Sequence, residues 1–113
     1  MKMGKLFKCD VCGFIYEGEQ PPATCPKCGV GPEHFKPLSE EEANKIFLSD
    51  RTNDIHFELI TLLDRMILLC NEGIEINLDP NCVKDFKAAK DELWTIKGRS
   101  KAELAVHLSK GKW

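Results

Sequence analysis

Cys9, Cys12, Cys25 and Cys28 stand in two short knuckles, C-D-V-C-G and C-P-K-C-G, with twelve residues between the pairs. Each C-x-x-C closes a tight turn that aims two thiolates at one point. Two such turns facing each other place four sulfurs at the corners of a tetrahedron, a donor set that suits Zn²⁺ or iron. Gly13 and Gly29 follow the knuckles. A positive φ there turns successive backbone N–H groups toward the sulfurs, at no steric cost to glycine. Those bonds favour the thiolate and tune any redox potential. A single C-x-x-C carries little information, whereas the doubled, glycine-followed form reads as a mononuclear Cys₄ metal site.

The remaining reactive side chains carry less. Cys70 lies late in an apolar segment and reads as a small buried hydrophobe. Cys82 falls in the first turn of an expected helix, where the helix N-terminus favours a thiolate, although a structural role accounts for it as well. Glu-x-x-His pairs, which carboxylate-bridged di-iron sites in helical bundles require, do not occur. His34, His56 and His107 do not fall in such pairs, and His56 reads as a partly buried structural histidine. A peroxide-reducing di-iron enzyme is therefore not expected, and neither a phosphate-binding glycine loop nor a Ser/His/Asp constellation is visible.

The elements that must position the four cysteines are short. Leu6-Phe7-Lys8 leads into the first knuckle, Phe14-Ile15-Tyr16 leads out, and Pro21-Pro22 turns the chain back to the second. Phe7, Phe14, Tyr16 and Phe35 supply a small aromatic core. So short a module lies below the ~40 residues at which folds usually need a metal or disulfides, so metal removal is expected to unfold it.

The run from C-D-V-C-G-F-I-Y-E-G-E through C-P-K-C-G to H-F-K-P-L resembles a rubredoxin domain. Its short inter-knuckle loop is similar to that of the rubredoxin-like domain at the end of rubrerythrins; rubredoxins proper have a much longer one. The resemblance covers about residues 6–38. It implies an Fe(Cys)₄ centre cycling between Fe(II) and Fe(III), one iron per chain, with the second cysteine of each knuckle, Cys12 and Cys28, nearer the surface. The function implied is one-electron transfer to or from a redox protein or flavoprotein. The alternative from another class is a zinc ribbon without redox chemistry that scaffolds an interaction module, since both metals take four thiolates.

The expected architecture is thus a knuckle module, residues 1–38, followed by an all-α domain, residues 39–113. Four helices are expected there, over about 40–48, 53–72, 80–97 and 101–109. Ser39 to Glu42 and Ser100 to Glu103 read as capping boxes, Asp79-Pro80 as a helix start, and Gly73 and Gly98 as helix ends. On the second helix Ile55, Leu59, Leu62, Leu63, Met66 and Cys70 form one apolar stripe, with Phe57, Ile60, Ile67 and Leu68 off it. A helix apolar over most of its circumference is buried on more than one side. It is the centre of a small bundle or, through residues 55–70, part of a homodimer or partner interface. The third helix repeats Val83, Phe86, Ala89, Leu93 and Ile96.

The 113 residues are 42% hydrophobic and 30% charged, a globular composition. No apolar run approaches the ~20 residues that span a bilayer. The N-terminus lacks an apolar signal core, so a cytoplasmic location is expected, and cysteines in that reducing compartment bind metal rather than pair. Charge is uneven: residues 39–83 carry three basic and ten acidic side chains, residues 84–113 eight basic and four acidic. The basic tail is too sparse and mixed for nucleic-acid binding.

Overall fold

The computed structural model describes residues 4–113. The chain divides into two compact units, the first ending at Leu48 and the second Ser49–Trp113. The division falls later than the expected boundary after Leu38, because the first turns of the helical segment belong to the first unit.

Three short strands, β1 (Leu6–Cys9), β2 (Ile15–Glu17) and β3 (Phe35–Pro37), form an antiparallel sheet in the order β2-β1-β3. Phe7 lies opposite Tyr16 on one side and Pro37 on the other. Pro37, which has no N–H to donate, stands on an edge strand, where its ring does not interrupt the ladder. Alternation along β1 sends Phe7 and Cys9 inward and leaves Lys8 exposed. Phe7, Cys9, Cys25 and Phe35 make the buried core, with Phe14, Tyr16 and Val30 packed against it. This is the aromatic core expected beside the metal ligands.

Two long helices follow, α1 (Glu40–Ile76) and α2 (Pro80–Ser109), in place of the expected four. The α1 start is as expected: Ser39 N–H donates to Glu42 Oε1 at 2.9 Å, and Glu42 N–H to Ser39 Oγ at 3.1 Å. The break expected between residues 48 and 53 is absent. Its polar residues are satisfied inside the helix instead of capping a new one. Thr52 Oγ1 donates back to the Ser49 carbonyl, and Asn53 turns inward to the end of α2. Nor does Gly73 end the helix. A Cβ there would lie 2.4 Å from the Phe86 ring, so glycine is what allows α1 and α2 to approach. The actual end is Asn77, with φ 53° in the left-handed region that asparagine tolerates. Asp79 caps α2 as expected, accepting from Cys82 N–H at 2.8 Å. The break at Gly98 is also absent, and Ser100 is a buried interior residue rather than a cap.

The helices are antiparallel: Gly73 meets Phe86, Asp64 Oδ1 accepts from Lys97 Nζ, and Asn53 reaches His107 and Lys112. Their contact follows a strict seven-residue repeat. Asn53, His56, Ile60, Leu63, Ile67, Cys70 and Ile74 on α1, and Phe86, Lys90, Leu93, Lys97, Ser100, Leu104 and His107 on α2, are buried or half-buried and carry that repeat. Alternating steps of three and four residues are the signature of coiled-coil packing. Leu63, Ile67, Cys70 and Leu93 form its core.

This corrects the expected stripe. Leu63 and Cys70 are inside, with Ile67 and part of Ile60, whereas Ile55, Leu59, Leu62 and Met66 are exposed. Ile96, grouped with the inward residues of α2, is exposed as well.

Candidate metal centre

Each knuckle is a turn closed by the backbone. Gly13 N–H donates to the Cys9 carbonyl and Gly29 N–H to the Cys25 carbonyl, both at 2.9 Å. A second bond tightens each loop, Cys9 N–H to Phe14 O at 2.9 Å and Cys25 N–H to Val30 O at 2.8 Å. Gly13 and Gly29 hold φ of 84° and 83°, a conformation in which a side chain is strained. The two knuckles are thus the same structure used twice, set by the C-x-x-C-G spacing.

The turns bring all four predicted ligands together, every Sγ within 4.8 Å of the others. Across the knuckles, Cys9 Sγ lies 3.7 Å from Cys28 Sγ, and Cys12 Sγ 3.6 Å from Cys25 Sγ. A tetrahedral ion with metal–sulfur bonds near 2.3 Å has edges of about 3.8 Å, so the cradle has the right size for zinc or iron. No disulfide competes, as all four thiols are free. Cys9 and Cys25 are buried and Cys12 and Cys28 exposed, the asymmetry that the resemblance implied.

The electrostatics show what holds charge on the sulfurs. The Phe14 N–H favours a Cys12 thiolate, yet desolvation and the sulfurs of Cys25, Cys28 and Cys9 outweigh it, and Cys12 is pushed up to about 12. Cys28 is raised too: the Val30 N–H favours its thiolate, while desolvation and the Cys25 and Cys9 sulfurs prevail. Burial opposes charge on Cys25, but the N–H groups of Cys28 and Lys27 and the sulfurs of Cys12 and Cys28 overcome it and bring Cys25 down to about 6. Neighbouring sulfurs thus oppose ionisation at Cys12 and Cys28. A cation is what allows them to ionise, so the site is built around one.

The N–H donors from Phe14 and Val30, each two residues beyond the exposed cysteine of its knuckle, are the functional groups that residue types alone do not reveal. Their signal is the glycine between, which turns the peptide. His34 Nδ1 pairs with Asp10 Oδ1 at 2.9 Å, while the His34 carbonyl accepts from Asp10 N–H. The pair ties the first knuckle to the segment after the second. Cys70 is buried in the helical seam, and Cys82 is partly buried. Among the described residues, the Cys₄ set is the one group of three or more metal-ligating side chains, and no helix there is long and apolar enough to cross a membrane.

The sheet, paired knuckles and Cys₄ cradle define a rubredoxin-like domain. The family model "Rubrerythrin, rubredoxin-like domain" matches residues 7–36. Reverse rubrerythrin-1 of Clostridium acetobutylicum is 51% identical over 37 residues in the N-terminal part, 33% of this chain and 20% of that protein. The match thus spans about a fifth of the relative's length. No solved structure matches the chain.

Proposed function

We propose that the protein is a one-electron carrier with a mononuclear Fe(Cys)₄ centre held by Cys9, Cys12, Cys25 and Cys28. The observation that carries this reading is the closed tetrahedral thiolate cradle within a rubredoxin-like domain. Bound iron would supply the single electron, exchanged between ferric and ferrous states. The chain's own groups do the rest. Four protein sulfurs fill the coordination positions, so no substrate reaches the metal. Knuckle turns fixed by backbone hydrogen bonds keep the sulfurs in one arrangement, which limits reorganisation when charge changes. The Phe14 and Val30 N–H groups stabilise negative charge on Cys12 and Cys28.

Those two cysteines are the exposed pair, and Val11 beside Cys12 is 57% exposed. They form the contact point for a redox protein or flavoprotein, with apolar surface next to the sulfurs through which the electron passes. The carrier has no catalytic residues of its own in this reading.

Metal analysis of protein purified without oxygen from its own organism tests it. Close to one iron per chain is expected, with a red colour that bleaches on reduction. Stoichiometric zinc in colourless native material overturns the electron-transfer reading and leaves a zinc ribbon that holds shape without redox chemistry.

A further inference from the structure

The helical unit has a second seam with no partner. On α1, Ile55, Leu59, Leu62, Met66, Leu69 and Ile76 each precede a residue of the inward seam, or its continuation, by one position. They follow the same alternating steps of three and four, with Gly73 filling the remaining place. All six are between 39% and 67% exposed. A row with this period lies about 100° around the helix from the row that packs on α2, and only another helix follows it over its length. Ile96 and Val106 of α2 likewise precede inward residues and are exposed. In antiparallel helices the positions before each inward seam share one side of the pair, so this side is apolar on both helices.

Charge tells what the missing helix is. Along the outer margin of the exposed row stand Arg51, Glu58, Arg65 and Glu72, seven residues apart and alternating in sign. All four are exposed, and none has an ion pair or hydrogen-bond partner among the described residues. A plus-minus-plus-minus row read backwards is minus-plus-minus-plus. A second copy of α1 laid antiparallel therefore meets every charge with its opposite, whereas a parallel copy sets like against like. The register that pairs Arg51 with Glu72 of the second copy also pairs Glu58 with its Arg65. Its two-fold axis falls beside Leu62. Within two residues, the same axis places Ile55 against Leu69 of the second copy and Leu59 against its Met66. The charged row selects this register, and the apolar row is compatible with it.

We propose that the chain is a homodimer in which α1 packs antiparallel on α1 of a second copy about a two-fold axis at Leu62, stacking two hairpins into a four-helix bundle. The contact is isologous, as a two-fold requires.

Sedimentation equilibrium in reducing buffer tests this on the full chain, with helical circular dichroism and Cys₄ metal content as checks on folding. Wild type is expected to be a dimer at micromolar concentration. Leu62→Glu, an exposed position within one copy, should give a folded monomer that keeps its metal. Glu58→Arg places like charges together at two symmetric points and should weaken the dimer roughly tenfold. Adding Arg65→Glu exchanges the charges and should restore the affinity to within about threefold of wild type. A wild-type monomer, or a dimer indifferent to Leu62→Glu, overturns the proposal. A double variant no better than Glu58→Arg alone overturns the antiparallel register, and the proposal with it. None of these outcomes bears on whether the metal is iron.

Discussion

The two units reach an ordered structure by opposite means. In the first, four side chains converge on one point, and the sheet around them is three strands of three or four residues. In the second, no point dominates, and order comes from a seven-residue repeat carried along two helices of 37 and 30 residues. A convergent site fails all at once when one ligand is lost. A periodic seam fails gradually, one contact at a time. The first arrangement suits a centre whose geometry must not change; the second suits a surface that pairs with something of equal length.

The largest effect that would test this contrast is loss of a ligand. Cys9→Ser or Cys25→Ser removes a buried sulfur from the cradle, and metal binding supplies much of the folding free energy in so small a module. Residues 6–38 should lose amide dispersion in a two-dimensional NMR spectrum, and the metal content should fall well below one per chain. Resonances from Ser49–Trp113 should persist. Unfolding of both units together would show that the seam does not stand by itself.

Neighbouring leucines sharpen the periodic half. Leu63 is 4% exposed and belongs to the inward core, while Leu62 is 58% exposed. Leu63→Ala should destabilise the helical unit by about 2–5 kcal/mol, the range for truncating a buried leucine. Leu62→Ala should leave the fold of a single copy in place and act on self-association. Denaturation at several protein concentrations separates the two, because only an effect on association makes the midpoint depend on concentration. Equal effects from both leucines would mean that the inward seam has been assigned one residue out of step.

Asn53 is a smaller test of the same seam. Its Nδ2 donates to the Lys112 carbonyl at 2.8 Å, and His107 Nδ1 donates to its Oδ1 at 2.6 Å. Asn53→Ala leaves two partly buried groups without a partner, at a cost of about 1–3 kcal/mol. Hydrogen exchange should rise first at the C-terminal end of α2. Unchanged protection there would show that the last turn is held by packing alone.

Asn53 also shows why the sequence was easier to read in one half than the other. The metal module was legible because its information is local: C-x-x-C-G names the ligand, its spacing and the glycine that turns the peptide, all within five residues. The breaks expected at 49–52 and 98–100 rested on local signals too, and there the signals misled. Ser49, Asn53 and Ser100 are residues that favour helix starts. Here they are buried inward positions of a long seam, and Asn53 is satisfied by Lys112 and His107. Gly73 reads as a terminator until Phe86, thirteen residues on, is seen lying against it. The apolar character of α1 over most of its circumference was plain, but which row packs inward depends on α2. Spacing shows two rows and cannot rank them.

The smallest effect concerns the start of α1, where a local signal held. Glu42 accepts from Ser39 N–H in the capping box, and that bond, with the Ser39 hydroxyl, draws its carboxyl below the ordinary glutamate value. A carboxylate whose folded pKa lies below its unfolded one stabilises the folded state at pH above the unfolded value. It loses that contribution as pH falls through the folded value. The cap should therefore be fully formed at neutral pH and weaken only below the ordinary glutamate range. Zinc-loaded protein, diamagnetic and colourless, allows this to be followed by carbon NMR of the side-chain carboxyls. Glu42 should titrate at lower pH than a glutamate in an unstructured peptide, and protection of the Ser39 amide should fall together with Glu42 ionisation. In Glu42→Gln the amide oxygen can still accept the bond without titrating, so Ser39 protection should lose its dependence on pH in that range. A Glu42 midpoint equal to that of a glutamate in an unstructured peptide would show that the capping bond is too transient to hold the charge. The start of α1 would then rest on the Ser39 hydroxyl alone.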